Sequence, residues 1–164
     1  MILGRQGCLS DNPTHTVEKG GRFGYAQVMK TKSMLMLEDA RRIAIAAETE
    51  AAGRGWAVAI AIVDDGGHLL WLQRGDGAPP VSSDIAAAKA RTAALGRRES
   101  KVYEDMINQG RTAFLSAPVL QGMLEGGVPI VFEGQCLGAV GVSGVKSSED
   151  AQIARAGVAA LPAG

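Results

Sequence analysis

Apolar residues recur at helical spacing between residues 37 and 51, and a continuous apolar run follows them. The first pattern predicts an amphipathic helix that ends at Gly53 or Gly55. The run from Trp56 to Val63 is short and rich in β-branched residues, so it predicts a central strand. Six positions form the apolar face of the helix: Leu37, Ala40, Ile43, Ala44, Ala47 and Ala51.

A hairpin is predicted directly after this strand. Asp65-Gly66-Gly67 offers the glycines that a tight turn with positive φ needs. Residues 68–74 then form the returning strand, and the Gly- and Pro-rich residues 75–80 form a loop.

The rest of the chain repeats the same kinds of element. Ser82, Ser83 or Asp84 caps an alanine-rich helix, and a last amphipathic helix follows Ser147, with Asp150 as the partner in a capping box. The order α, β, β, α, α, β, β, α predicts an antiparallel sheet with helices packed on it. The predicted ranges are helices at about 82–95 and 99–108, a short helix near 119–124, and strands at 128–132 and 136–143.

The length of 164 residues fits one domain and a tail. Residues 1–33, which include Cys8 and His15, are polar, Gly-rich and aperiodic, and we expect a flexible extension there and a folded domain over 34–164. The extension lacks the apolar segment of a signal peptide, and no apolar run reaches the length of a membrane span. The sequence therefore predicts a cytoplasmic protein that does not bind membranes.

Composition and charge exclude several classes of function. Lys+Arg and Asp+Glu are 17 each, so no basic surface indicates nucleic acid or an anionic membrane as a partner. Phosphate-binding and nucleophile-elbow motifs are missing, which makes nucleotide enzymes and serine hydrolases poor candidates. Only one histidine and one cysteine, Cys136, lie in the predicted domain, too few for a zinc site.

The strongest candidate chemistry lies at the predicted hairpin turn. His68 stands beside Asp64 and Asp65, and an imidazole there could coordinate a metal or act as a general acid or base. Asp65 is expected to bond the backbone of its own turn. Asp64 ends a buried strand and needs a partner, for which Arg74 or Lys89 are candidates.

A second group of candidates lies on the alanine-rich helix and before the third strand. Lys89 and Thr92 are three apart and share a helix face, where they could bind a carboxylate; Arg91 lies on another side. For Lys89, a solvated or subunit-interface position is equally compatible with the sequence. Gly127 and Pro129 shape backbone whose N–H groups could hold an anion, although a tight turn explains them as well.

Four segments in this order resemble the GlcG/HbpS-like family, also called the haem-degrading family. They are Val63-Asp64-Asp65-Gly66-Gly67-His68-Leu69, Ala86 to Thr92 with its Lys-Ala-Arg-Thr core, Gly126-Gly127-Val128-Pro129-Ile130, and Gly138-Ala139-Val140-Gly141-Val142-Ser143-Gly144 leading into Glu149-Asp150.

The resemblance covers about residues 35–161 and implies a fold, a ligand and an assembly. The fold is a profilin-like α/β/α sandwich, an α+β architecture with an antiparallel sheet of about five strands. The assembly is an even-numbered homo-oligomer, commonly an octamer. Members of the family are linked to haem binding and breakdown, and others are accessory proteins in glycolate or corrinoid-related operons.

Two main functions follow, and the sequence leaves open whether the protein is an enzyme. The first is haem binding, with assistance to haem degradation or sensing, in which His68 is the iron ligand and Lys89 and Arg74 provide charge for the propionates. The second is an enzyme or accessory subunit of a catabolic pathway, in which His68 and Asp64 perform acid/base chemistry on an organic acid held by Lys89 or Arg91. A structural or regulatory oligomer with a vestigial site is a third.

Overall fold

The computed structural model describes residues 31–161. Most of the predicted extension, with Cys8 and His15, lies outside this range, as do residues 162–164. Within it the helices are α1 (Leu37–Gly53), α2 (Val81–Gly96), α3 (Lys101–Asn108) and α4 (Ser147–Val158), and the strands are β1 (Ala59–Asp64), β2 (Leu69–Arg74), β3 (Gly127–Phe132) and β4 (Gln135–Ser143). The predicted order of elements is confirmed.

The four strands form one antiparallel sheet in the order β2-β1-β4-β3. Over residues 31–161 it has one strand fewer than the resemblance implied, and the α+β class is confirmed. The outer strands β2 and β3 each pair on one side only, and Pro129 lies on β3, where a missing N–H is tolerated.

Helices cover both faces of the sheet. Along β1, Ile60 and Ile62 pack toward α1 and α4, whereas Ala59, Ala61 and Val63 pack toward α2. The first face is built from branched side chains and the second almost entirely from alanine. Because only small side chains lie between α2 and the sheet, the backbone of the helix comes close to the backbone of the strands.

Glycines extend this close approach on the α2 side. A Cβ at Gly141 of β4 would overlap the carbonyl oxygen of Ala86, and a Cβ at Gly127 of β3 would overlap that of Lys89. Gly122, in the segment that follows α3, meets the backbone of Ala88 in the same way. Helix α2 is therefore held between the sheet and this segment.

Three local predictions are wrong. The short helix near residues 119–124 is absent, and a 3₁₀ helix over Thr112–Ser116 takes its place in the connection. Helix α2 starts at Val81, before the predicted caps, and Ser82 is buried. At the start of α4, the backbone N–H of Lys146 donates to Glu149, so the Ser147–Asp150 capping box is not formed.

Candidate functional site

The turn between β1 and β2 is organised by Asp64. Its Oδ1 accepts hydrogen bonds from the backbone N–H groups of Gly66 at 2.9 Å and His68 at 2.8 Å, and its carbonyl oxygen accepts one from Gly67 at 3.0 Å. Gly67 has a φ of 78°, a conformation that suits glycine. The predicted role of Asp65 is therefore taken by Asp64, and Asp65 instead pairs with Lys32.

His68 presents its imidazole to solvent at this turn. The side chain is 76% exposed, and Nδ1 lies 3.3 Å from Asp64 Oδ1. A Cβ at residue 66 would stand 2.8 Å from this Nδ1, so Gly66 provides the space in which the ring reaches the carboxylate. Because Nδ1 faces Asp64 and no residue among 31–161 hydrogen-bonds the ring's Nε2, that nitrogen is available to a ligand or a proton.

The same contacts keep Asp64 ionised. Partial burial acts to raise the pKa of this carboxyl, but the hydrogen bonds from the N–H groups of His68 and Gly66, together with the nearby imidazole, outweigh it. The net pKa of Asp64 is therefore lowered from its ordinary value of 3.8. A carboxylate held in this state can orient the imidazole through Nδ1.

Apolar side chains and one guanidinium lie near the turn that carries the histidine. Arg91 of α2 donates from Nη1 to the carbonyl oxygen of Gly67 at 3.1 Å, and a Cβ at Gly67 would lie 3.5 Å from Leu95 Cγ. Leu69 is opposite Val63 in the β1–β2 ladder, so its side chain lies on the α2 side of the sheet, where it is 52% exposed. Leu72 shares this face opposite Ala61.

Arg74 lies at the other end of the hairpin. Its Cα is opposite Ala59, five residues along β2 from Leu69, which is about 17 Å at the rise of a strand. It is exposed and forms no ion pair with any residue among 31–161. The expectation that Arg74 serves as the partner of Asp64 is therefore wrong.

Lys89 is also not the partner of Asp64. Its side chain is 3% exposed, and Nζ donates to Asp150 Oδ2 at 2.8 Å and to the carbonyl oxygen of Val142 at 3.0 Å. Burial raises the pKa of Asp150 above its ordinary value, an effect that Lys89 partly opposes. Val142 lies four residues along β4 from Gly138, which pairs with Asp64, so Lys89 belongs to a different part of the fold from His68.

The remaining predicted binding residues make internal contacts. Thr92 is fully buried, and its Oγ1 accepts a hydrogen bond from the N–H of Gly122 at 3.1 Å. The N–H of Gly127, a candidate for holding an anion, donates to the Oγ of Ser100 at 2.8 Å. Pro129 is half-buried within β3 and faces Ala139 in the ladder.

The structure thus brings together Asp64, His68 and Arg91, and it separates them from Lys89, Thr92 and Arg74. Sequence reasoning named Arg91 only as a possible anchor for an organic acid, and it missed Asp150 as the partner of Lys89. Arg91 and Lys89 are two positions apart in α2, so their side chains lie on different sides of the helix. This spacing was a signal that they contact different parts of the fold.

Two cavities lie away from His68. One of about 270 Å³ is at the end of α1 beside Trp56, and the other, of about 230 Å³, is lined by residues of the 33–39 segment, β3 and β4. No helix among residues 31–161 has the length and apolar character needed to cross a membrane. The surface at His68 is open, since the side chain is 76% exposed.

Known proteins are similar to this chain in sequence and fold. Protein GlcG of Escherichia coli is 56% identical over 115 residues, which are 70% of this chain and 85% of that protein. The crystal structure of a double mutant of HbpS from Streptomyces reticuli superimposes with a TM-score of 0.76 at 34% identity, covering 85% of this chain and 94% of the other.

A third relative carries a ligand in its structure. The crystal structure of the PduOC:haem complex superimposes with a TM-score of 0.73 at 28% identity, over 80% of this chain and 98% of the other. The model of the family described as haem degrading protein HbpS-like matches residues 35–159, which include Asp64, His68, Lys89 and Arg91. The chain therefore belongs to the HbpS-like family.

Proposed function

We propose that this protein binds haem, with His68 as the axial ligand, as a homo-oligomer that assists haem degradation or sensing. The observation that carries the proposal is the exposed imidazole of His68, oriented by Asp64 at 3.3 Å and placed beside exposed leucines and Arg91. The family description and the haem complex of a structural relative support the same ligand.

The residues at this turn fit the chemical needs of haem. Haem iron takes a neutral imidazole nitrogen, and Nε2 of His68 is available for it. Leu69 and Leu95 offer apolar surface to the macrocycle, and Arg91 uses only Nη1 toward Gly67, so its other N–H groups can meet a propionate. When bound, haem would supply an iron centre capable of oxygen chemistry, and the chain would supply binding and orientation.

A second copy of the chain would complete the site. Helix α2 packs mainly on β4, β1 and β3 and much less on β2, where the leucines at positions 69 and 72 are about half exposed. Burying such side chains contributes roughly 1.5 kcal/mol or more each. We expect an even-numbered oligomer by light scattering, reduced in mass by Leu72→Lys, whereas a monomeric wild-type protein would contradict this.

A haemin titration followed by absorbance tests the proposal. We expect a saturable, stoichiometric shift of the Soret band that His68→Ala abolishes or moves. His15→Ala, which changes the only other histidine, is the matched control and should titrate like the wild type. The absence of saturation would overturn haem binding, and an identical spectrum in His68→Ala would overturn the assignment of the ligand.

The contact between His68 and Asp64 also favours a second function. A carboxylate on Nδ1 leaves Nε2 to accept or donate a proton, which is the arrangement of a general acid/base, and Arg91 could hold an organic acid. If haemin does not bind, proton exchange of small carboxylic acids in D₂O, compared between wild type and His68→Ala, would detect this activity.

A further inference from the structure

The larger cavity lies at the opposite end of the β1–β2 hairpin from His68. It has a volume of about 270 Å³ and opens where the last turns of α1 meet the start of β1 and the end of β2. The ladder pair Ala59–Arg74 marks this end of the hairpin, and the Asp64 turn marks the other. The inner surface is mainly apolar, with contributions from Ala51, Trp56, Val58 and Ile60.

Two carboxylates belong to the lining of this cavity. Glu48 of α1 accepts a hydrogen bond from Gln73 Nε2 on its Oε1 at 2.9 Å, and Asp76 follows the end of β2. The ion pairs formed within residues 31–161 include neither of them. No lysine or arginine lines the cavity, so its charge is negative.

The Arg54 guanidinium beside Trp56 already has partners. Arg54 Nε donates to Glu50 at 2.8 Å, and the Arg54 side chain stacks over the ring of Trp56, with 5.1 Å between its Cζ and the ring centroid. The Arg54–Glu50 pair is self-contained, so it supplies no ion pair to Glu48 or Asp76. The negative end of the helix dipole at Gly53 adds to the same field.

We propose that this cavity binds a small organic cation, a primary ammonium or guanidinium on a short alkyl stem. The stem would pack against Ala51, Trp56 and Ile60, and the charged group would lie between Glu48 and Asp76. An open, mainly apolar cavity lined by an aromatic ring and carboxylates favours this class of ligand over an anion or a neutral molecule. The cation could be a free amine or the side chain of a lysine or arginine in a peptide.

Titration with n-butylammonium, followed by tryptophan fluorescence and calorimetry, tests this inference. We expect saturable binding that Glu48→Gln/Asp76→Asn weakens at least fivefold. The matched control Glu38→Gln/Glu133→Gln also removes two exposed carboxylates, outside the cavity, and should bind like the wild type. Trp56→Phe should remove the fluorescence response, because Trp71 lies in the core and not in the cavity lining.

Two results would overturn the inference. One is binding of n-butanol as strongly as n-butylammonium, because an apolar groove alone would then explain the affinity. The other is an equal affinity in the Glu48/Asp76 variant and its control, with circular dichroism showing that both are folded. Either outcome leaves the haemin titration unaffected, since His68 is absent from this cavity.

A second pair of probes distinguishes a free amine from a peptide side chain as the source of the cation. N-acetyl-lysine methylamide carries the same ammonium on a peptide backbone, whereas n-butylammonium carries it alone. Tighter binding of the blocked lysine would support a peptide side chain as the ligand, and tighter binding of the free amine would support a small metabolite. Failure of both to saturate would overturn the site.

Discussion

Asp64 contributes more to the candidate site than its neighbours in sequence. Its one oxygen Oδ1 accepts from two backbone N–H groups and lies against the His68 ring, so a single carboxylate shapes the turn and aims the imidazole. Asp65, with the same chemistry one position later, pairs with Lys32 instead. The difference arises because Asp64 ends β1, where its side chain faces back over the turn.

Asp64→Asn should lower the free energy of unfolding by about 1 kcal/mol at pH 7, because a neutral amide oxygen is a weaker acceptor than a carboxylate. The pKa of Asp64 is lowered in the folded state, so its stabilisation is fully present above the ordinary pKa of 3.8 and is lost as the pH falls through the lower, folded pKa. Urea denaturation between pH 2 and 7 measures the difference.

Asp76→Asn is the control for this experiment, since Asp76 is exposed and forms no ion pair within residues 31–161. Its stability should stay close to that of the wild type at each pH. A gap between wild type and Asp64→Asn that persists unchanged to pH 2 would contradict the proposed origin in the ionised carboxylate.

At the scale of elements, the packing of α2 sets the geometry of the site. Alanines on α2 meet alanines and Gly141 on the sheet, which brings the helix close enough for Arg91 to reach the turn at Gly67. The small side chains of this alanine-rich helix are what allow its close approach to the sheet.

Gly141→Ala should destabilise the protein by about 3 kcal/mol, because the added methyl would overlap the backbone of α2 at Ala86 and Ala90. Gly53→Ala is the matched control: a Cβ there meets nothing within 4 Å, so it should be neutral or slightly stabilising. Thermal and urea unfolding measure both, and similar stabilities for the two variants would show that α2 moves away from the sheet at little cost.

At the scale of the whole molecule, a buried ion pair links the two helical layers. Lys89 comes from α2 on one face of the sheet and Asp150 from α4 on the other, and they meet beyond the start of β3 beside Gly126. Both side chains are 3% exposed, so each charge depends on the other. The pair holds the layers together and occupies Lys89, which sequence reasoning had assigned to a ligand.

Removing either member of this pair alone should lower the free energy of unfolding. We expect Lys89→Met and Asp150→Ala each to lose about 3 kcal/mol, because either leaves a buried charge without its partner. The double variant should lose less than the sum of the two. Denaturant titrations of the four proteins provide the coupling energy.

Glu99→Gln is the control for the cycle. Its partner Arg155 is about half exposed, so this surface pair should contribute no more than about 1 kcal/mol. Strict additivity of Lys89→Met and Asp150→Ala would contradict a coupled buried pair.

The sequence by itself determined the order of the elements and the chemistry of the turn. Spacing of apolar residues located α1, β1 and α4, since burial of one face imposes a period on the chain, and the segment from Asp64 to His68 marked the hairpin. It could not locate the short 3₁₀ helix, because residues 111–127 carry no periodic pattern.

Only the tertiary structure decided which charges meet. Lys89 and Asp150 are 61 residues apart, and no local pattern relates them; the close packing of α2 on the sheet brings them together. The same packing brings Arg91 to the turn at Gly67 and Lys89 to Asp150. Which distant residues pair depends on how the helices pack on the sheet. A periodic pattern within one helix or strand identifies its buried face, but it does not identify the element that packs against that face.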